Sequence, residues 1–256
     1  MSIIGGIRTR LYWLFWGRKF HPVKNNRNLG IWFTLTRKYY EPDGLRITYP
    51  KSQVSLGFRS RFHHDVYEQE ERQLARKYIR ATDRVLELGA CIGVVSCIVH
   101  RLLEPGTTHV VVEANPFLIP TIYKNKELNS LDFVVEHCMV SQKRLNTFYV
   151  QNVIVGGTAV CKTERSVTVP GRSLDELWTM YGGFDTFIVD IEGGEYDLFL
   201  ENLELVRQFR LVIMEQHEFI LKKEKTEAIR NALRESGFEL VETMDCTEVW
   251  LNQTRS

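Results

Sequence analysis

The stretch that decides the fold runs from Val85 to Ser96, VLELGACIGVVS. Its first four residues form an apolar, strand-like run interrupted by one carboxylate, Glu87, and broken by Gly89. A second glycine, Gly93, follows four residues later and opens an apolar helical run. Strand, glycine turn and helix together bring backbone N–H groups and a helix N-terminus close to a ligand. Gly89 allows the tight turn, and Gly93 lets the helix approach the sheet or the ligand. The spacing is E-x-G-x-x-x-G, with Cys91 where a dinucleotide loop would carry its middle glycine. That substitution counts against a pyrophosphate, which needs the closest backbone approach.

Outward from this stretch, strand and helix signals alternate. Strands are expected at Val85–Leu88, His109–Glu113, Val134–His137 and Phe184–Ile191, with another inside Leu205–Met214. Helices are expected at residues 66–79, Gly93–Leu103, Pro116–Asn129, Leu174–Met180 and Lys222–Ser236. Gly237 ends the last helix, and Phe238–Glu242 and Val249–Asn252 can close the sheet. The alternation predicts a doubly wound α/β fold. Residues 142–172 interrupt it. There Tyr149–Val155 and Ser166–Val169 are alternating, β-branched segments around Gly156-Gly157, which predicts a β-hairpin insertion or an extra sheet edge.

Carboxylates sit where the strands should end. Glu113 closes the second strand twenty residues after Gly93, where it can accept hydrogen bonds from both ribose hydroxyls of a nucleoside. Glu87 can face a cationic or amino part of the same ligand. The run FDTFIVDIEGGEY, Phe184–Tyr196, delivers Asp190 and Glu192 to a strand end and leads Glu195 into a helix. The run LVIMEQH delivers Glu215 and His217 to the same edge if its strand is parallel and adjacent. Open α/β sheets bind ligands along that edge.

The 256-residue chain, 44% apolar, has enough material for one large core. Its five cysteines include no C-x-x-C pair and an odd one over, which excludes a disulfide framework and predicts a reducing, cytoplasmic setting. Residues 1–40 carry eight Lys or Arg and no acid, whereas the other 216 residues sum to −7. The mildly acidic body excludes broad nucleic-acid binding. No apolar run is long enough to span a bilayer. Residues 4–20, IGGIRTRLYWLFWGRKF, place Ile7, Leu11, Leu14 and Phe15 on one helical face beside Tyr12, Trp13 and Trp16. Such a helix can lie on an anionic membrane as a peripheral contact, or dock on the body through its aromatic rings. Residues 1–60 read as a helical and irregular N-terminal extension with a short strand at Leu45–Tyr49. Tyr39, Tyr40 and Pro42 suggest a cap over the substrate. Residues 61–256 read as the main domain.

ELGACIGVVS, VVVEANP, VTVPGRSLDEL and above all FIVDIEGGEYDLF resemble the FkbM-type methyltransferases, over about residues 60–250. The resemblance implies a class I, mostly parallel, seven-stranded Rossmann-like sheet, and S-adenosylmethionine as methyl donor. It also implies activity on hydroxyls of sugars and other small molecules. It matches Glu87, Gly89 and Gly93 to the cofactor loop and Glu113 to the ribose-binding acid. Asp190, Glu192, Gly193 and Glu195 fall on the family's acidic-glycine block. Cys91 replaces the asparagine common in the loop, and Gly194 replaces the usual small or polar residue. The donor site on this reading comprises Glu87, Gly89, Ala90, Cys91, Gly93, Glu113, Ala114, Asn115, Cys138 and Asp190. Glu192, Glu195 and Glu215 are expected to face the acceptor.

A hydroxyl acceptor must lose its proton as the new bond forms. His217 is a candidate base because an imidazole titrates near neutral pH, with Asp190 and Glu192 as alternatives. Asp190, Glu192 and Glu215 could instead hold Mg²⁺, which favours oxygen ligands. Two other readings share the sheet: an NAD-dependent oxidoreductase, which should carry G-x-G-x-x-G, and a non-catalytic nucleoside-binding domain anchored by its N-terminus.

Overall fold

A computed structural model describes residues 25–150, 163 and 165–255. Residues 4–20, the Gly156-Gly157 turn and Cys161 lie outside the described residues, so the membrane-helix expectation and the tip of the insertion do too.

The central sheet has seven strands: β1 Val85–Leu88, β2 His109–Val112, β3 Val134–Glu136, β7 Thr186–Val189, β8 Leu211–Glu215, β9 Phe238–Met244 and β10 Thr247–Asn252. Their spatial order is β3-β2-β1-β7-β8-β10-β9. The first five of these run parallel, and β10 is antiparallel to both β8 and β9. Every residue of β1, β2 and β7 is buried, as expected for parallel strands covered on both faces. The register pairs Leu88 with Val112 and with Val189, and Val189 with Met214. The tips of β1, β2, β7 and β8 therefore end level at one edge. The chain goes from β1 outward to β2 and β3, then returns to place β7 on the other side of β1. That reversal is a topological switch point, where a crevice opens beyond the strand tips.

The helices are α1 Arg27–Thr36, α2 Arg59–His63, α3 Gln69–Tyr78, α4 Val94–Leu102, α5 Ile119–Leu128, α6 Leu174–Tyr181, α7 Glu195–Glu201, α8 Leu203–Val206 and α9 Glu218–Glu235. Helix α6 begins where its sequence dictates. Ser173 accepts from the Glu176 N–H while Glu176 reaches back to the Ser173 N–H, a reciprocal capping box. Hydrophobic clusters pack on both sides of the sheet. One includes Leu86, Phe187, Phe209 and Trp250, and another includes Val85, Val99, Ile188 and Ile213.

Within the excursion, β5 Leu145–Tyr149 pairs antiparallel with β6 Ser166–Arg172, and β6 pairs in parallel with β4 Met139–Val140. The strand β6 covers the expected Ser166–Val169 segment, whereas its antiparallel partner is Leu145–Tyr149, which meets the expected Tyr149–Val155 segment only at Tyr149; residues 151–162, with the expected turn, lie outside the described residues.

The described part of the N-terminal extension is built into the body. Phe33, Tyr40, Leu45, Ile47, Tyr49, Phe62 and Tyr67 form one cluster with Ile92, Val94, Cys97 and Ile122. Helix α1, in a segment read as irregular, is capped by Asn26, whose side chain accepts from the Asn28 and Leu29 N–H groups. Gly30 sits within it because a Cβ there would come 1.5 Å from the Leu56 carbonyl oxygen. The expected strand at Leu45–Tyr49 is a single antiparallel bridge, Tyr40 to Ile47. Tyr40 is not a substrate cap: it is buried, and its hydroxyl donates to Asp65 at 2.7 Å.

Candidate active site

The glycine turn is set by backbone crowding. Gly89 has φ +89°, and a Cβ on it would lie 1.6 Å from the Asp190 carbonyl oxygen. Only glycine lets the β1 and β7 tips come so close, so the glycine loop and the acidic block touch across the switch point. Cys91, at φ +51°, carries the chain around the turn, and Gly93 at φ +78° starts α4. The Cys91 thiol lies 3.2 Å from the Tyr67 hydroxyl.

Glu113 is fixed from both sides. One carboxylate oxygen accepts from the Cys91 N–H at 2.8 Å and the other from the Asn115 N–H at 2.7 Å. A carboxylate oxygen has two lone-pair directions, so each keeps one for a ligand. Burial raises the Glu113 carboxyl to about 7, against the opposing pull of these N–H groups. The crevice it lines measures about 1070 Å³ and is also bordered by Gly89, Cys91, Ala114, Asn115, Cys138 and Asp190. Ala90 and Gly93 do not reach the crevice wall; they shape the turn from behind, with the Gly93 N–H donating to the Ala90 carbonyl at 2.7 Å.

Glu87 departs from its expected role. It is 2% exposed and absent from the crevice wall. It accepts from Ser96 Oγ at 2.6 Å and faces His109 Nε2 at 3.3 Å. It ties β1 to α4 and β2 beneath the loop and does not line the crevice, because its place in the strand turns it towards Ser96 of α4 and His109 of β2.

At the other end of the crevice, the acidic block converges on one imidazole. His217 Nδ1 lies 2.8 Å from Glu195 Oε1, while Nε2 lies 3.4 Å from Glu192 and 3.5 Å from Asp190. Glu215 lies slightly farther, at 3.9 Å. Glu195 is fully buried and also accepts from the Ile191 and Gly193 N–H groups. It therefore holds the loop and the imidazole, a correction to its expected place on the acceptor. Burial would raise the Glu195 carboxyl, but His217 and the loop N–H groups bring it below its ordinary value. Burial would lower His217, yet Glu195, Glu192 and Glu215 hold it well above its ordinary value. The raised value favours the protonated imidazole, and Asp190 and Glu192 stand beside it as the other carriers of the expected proton transfer. Burial raises Asp190 to about 7, and burial with the nearby Asp190 charge pushes Glu215 well up. The expected cation set of Asp190, Glu192 and Glu215 is also revised: Asp190, Glu192 and His217 are the side chains whose ligand atoms lie within 4.8 Å of one another.

A match to the methyltransferase FkbM domain spans residues 87–240, more than half of the chain. The chain belongs to the FkbM methyltransferase family. It is an S-adenosylmethionine-dependent methyltransferase. No curated protein matches the sequence. Among solved structures, the methyltransferase is similar to an O-methyltransferase from Bacillus cereus in complex with SAH, at 14% identity and TM-score 0.42, covering 71% of this chain and 79% of that one. It is also similar to a ribosomal protein L11 methylase from Lactobacillus delbrueckii subsp. bulgaricus, at 14% identity and TM-score 0.43, covering 72% and 77%. A Methanococcus jannaschii fibrillarin pre-rRNA processing protein gives 11% identity and TM-score 0.47, covering 68% of each chain.

Some of the methyltransferase's crevice residues carry no sequence signal. Tyr67, Glu68 and Glu71 enter from the turn before α3 and its first turn, and Asn146 and Phe148 from β5. Burial lifts Glu68 to about 8. The Tyr67 and Glu68 pair lies in no motif, and only the packing of α3 beside α4 brings it to the loop. No helix among the described residues is long and apolar enough to cross a membrane.

Proposed function

We propose that this methyltransferase methylates a hydroxyl oxygen of a small polyhydroxylated or phenolic acceptor. The observation that carries the reading is the division of one crevice into two chemically distinct ends. Glu113 and the Cys91 turn form one end. Asp190 and Glu192 form the other, and the Gly89–Asp190 backbone contact joins them. Pockets for one drug-sized ligand measure roughly 300–1,000 Å³; at about 1070 Å³ this crevice lies at the upper end of that range, which suits a donor with a small acceptor beside it.

The residues present fit the donor. Glu113 offers two carboxylate oxygens at the β2 tip for the ribose diol, fixed in place before any ligand arrives. Cys91, Ala114, Asn115 and Cys138 line the space around it. S-adenosylmethionine supplies a methyl group on a sulfonium whose neutral thioether leaves readily. The protein's task is alignment and water exclusion, with the acceptor oxygen near ~3 Å behind the methyl group. Asp190 and Glu192 are the acceptor-side carboxylates: they accept the hydroxyl's hydrogen bond, orient its lone pair and draw off its proton. His217, held by Glu195 through Nδ1, lies between the two carboxylates on its Nε2 side.

The test is product chemistry. The protein is incubated with radiolabelled S-adenosylmethionine and a panel of sugars, phenols, amines and carboxylic acids. Label recovered as an alkali-stable ether supports the reading. Label recovered only as an alkali-labile ester or on nitrogen refutes it.

A further inference from the structure

We propose that Asp190, Glu192 and His217 form a binding site for one divalent cation of the Mn²⁺ type. The proposal rests on the reading of this end of the crevice as the acceptor side and adds a cation to it.

The ligand atoms come from two adjacent parallel strand ends. Asp190 and Glu192 follow β7, and His217 follows β8 as the residue before α9. They are separated by more than twenty residues in sequence, and the level tips of β7 and β8 bring them together. His217 Nε2 is 3.5 Å from Asp190 Oδ1 and 3.4 Å from Glu192 Oε2. The three ligand atoms all lie within 4.8 Å of one another. Octahedral sites with metal–oxygen distances near ~2.1 Å have neighbouring ligands roughly 3 Å apart.

Two further observations separate this group from an ordinary acidic cluster. The first is the imidazole's orientation. Metal-binding histidines direct their second nitrogen to a carboxylate, which fixes the ring and its tautomer. Here Glu195 does so at 2.8 Å from Nδ1, and Glu195 is itself locked by the Ile191 and Gly193 N–H groups. The second is Asp190 Oδ1, which accepts no hydrogen bond and has the His217 Nε2 edge, 3.5 Å away, as its charge partner. A buried carboxylate oxygen in that condition is costly unless a cation or proton meets it. Four carboxylates, those of Asp190, Glu192, Glu195 and Glu215, stand within 3.9 Å of this single imidazole. Two carboxylate oxygens with one imidazole nitrogen suit Mn²⁺, which accepts both donor types. Three protein ligands leave the remaining positions of a six-coordinate ion to water or to the acceptor's oxygen. A cation there would lower the pKa of a bound hydroxyl. Its binding would release to solvent the protons held on His217 Nε2 and Asp190, and the cation would then supply the charge that offsets the carboxylates.

The test is Mn²⁺ binding to the full chain, without donor or acceptor, followed by electron paramagnetic resonance and calorimetry. One saturable Mn²⁺ per chain is expected. His217→Ala and Asp190→Asn should each weaken it at least about tenfold, and Glu195→Gln about 10–100-fold through loss of the ring's anchor. Asp197→Asn, at an exposed acid on the crevice rim, should leave it unchanged. Thermal melting identifies any variant that fails to fold, and the Asp190 and His217 variants serve as substitutes for each other. Absence of saturable binding, or equal binding in the His217, Asp190 and Asp197 variants, overturns the site. S-adenosylhomocysteine titration separates the two readings. Donor binding without Mn²⁺ binding removes the cation and keeps the methyltransferase site, whereas Mn²⁺ binding without donor binding does the reverse.

Discussion

Replacement of Glu113 by alanine tests the donor half of the crevice. In the native protein each Glu113 oxygen holds one backbone N–H and offers one lone pair to the ribose. Hydrogen bonds to a charged acceptor contribute about 1.5–3 kcal/mol each. Two such bonds lost at the lower bound total about 3 kcal/mol, which is roughly 150-fold in Kd at about 1.4 kcal/mol per decade. Calorimetric titration with S-adenosylhomocysteine at pH 8 measures this directly. Wild type should also discriminate against a 2′-deoxyribose analogue by about tenfold or more, since one charge-assisted bond is lost. The variant should show no such discrimination. The substitution also removes the acceptors of the Cys91 and Asn115 N–H groups, each worth about 1–3 kcal/mol when left unmade. Relief from burying a carboxylate offsets part of that cost, so a fall in Tm of several degrees is expected without loss of the fold. A Kd within threefold of wild type, with the 2′-hydroxyl still discriminated, would refute the assignment of Glu113 to the sugar.

Other perturbations follow from the same geometry. Burial raises Glu113 from 4.5 to about 7. The ionised form binds the diol, so donor affinity should rise with pH up to about 7 and then level off. The sign for the ligand-free protein is opposite: stability associated with protonated Glu113 is fully present below about 4.5 and is lost as pH rises through about 7. Titration and melting between pH 5.5 and 8.5 check both slopes: in Glu113→Ala the affinity slope due to this carboxyl should be lost and the stability slope should become shallower, with Asp190 and Glu68 still titrating there. Gly89→Ala would place a methyl 1.6 Å from the Asp190 carbonyl oxygen and should cost about 4 kcal/mol or more by urea denaturation. Gly106→Ala, with nothing within 4 Å, should cost only about 1 kcal/mol from its positive φ. Arg210→Met should lose about 3–5 kcal/mol, because it leaves Asp83, a buried partner that also accepts from Thr186 at 2.8 Å, without its guanidinium.

Periodicity carried most of the architecture. Four- to seven-residue buried runs bounded by glycine, and amphipathic runs between them, can satisfy their backbone and bury their apolar side chains in few ways. The doubly wound sheet and the placement of Glu113, Asp190 and Glu215 at strand ends followed from that local physics. Helix α1 was not legible. Its residues, RNLGIWFTLT, bury only Gly30 and Phe33, and tertiary packing holds them where no apolar stripe announces a helix.

Strand order and side-chain direction belong to the tertiary structure. A sequence can place a carboxylate in a strand but cannot say what packs over the face it meets. Helix α4 and His109 take Glu87 inward, whereas Glu113 lines the crevice. Nor can a run of acids reveal which one faces a histidine twenty residues away. Level β7 and β8 tips bring Glu195 to one nitrogen of His217, and Asp190 and Glu192 to the other. The sequence by itself determined the strands, the turns and the supply of carboxylates. Long-range pairing decided which carboxylates became anchors and which were left for chemistry, because burial and Coulomb interaction depend on distances that the chain closes only when the sheet assembles.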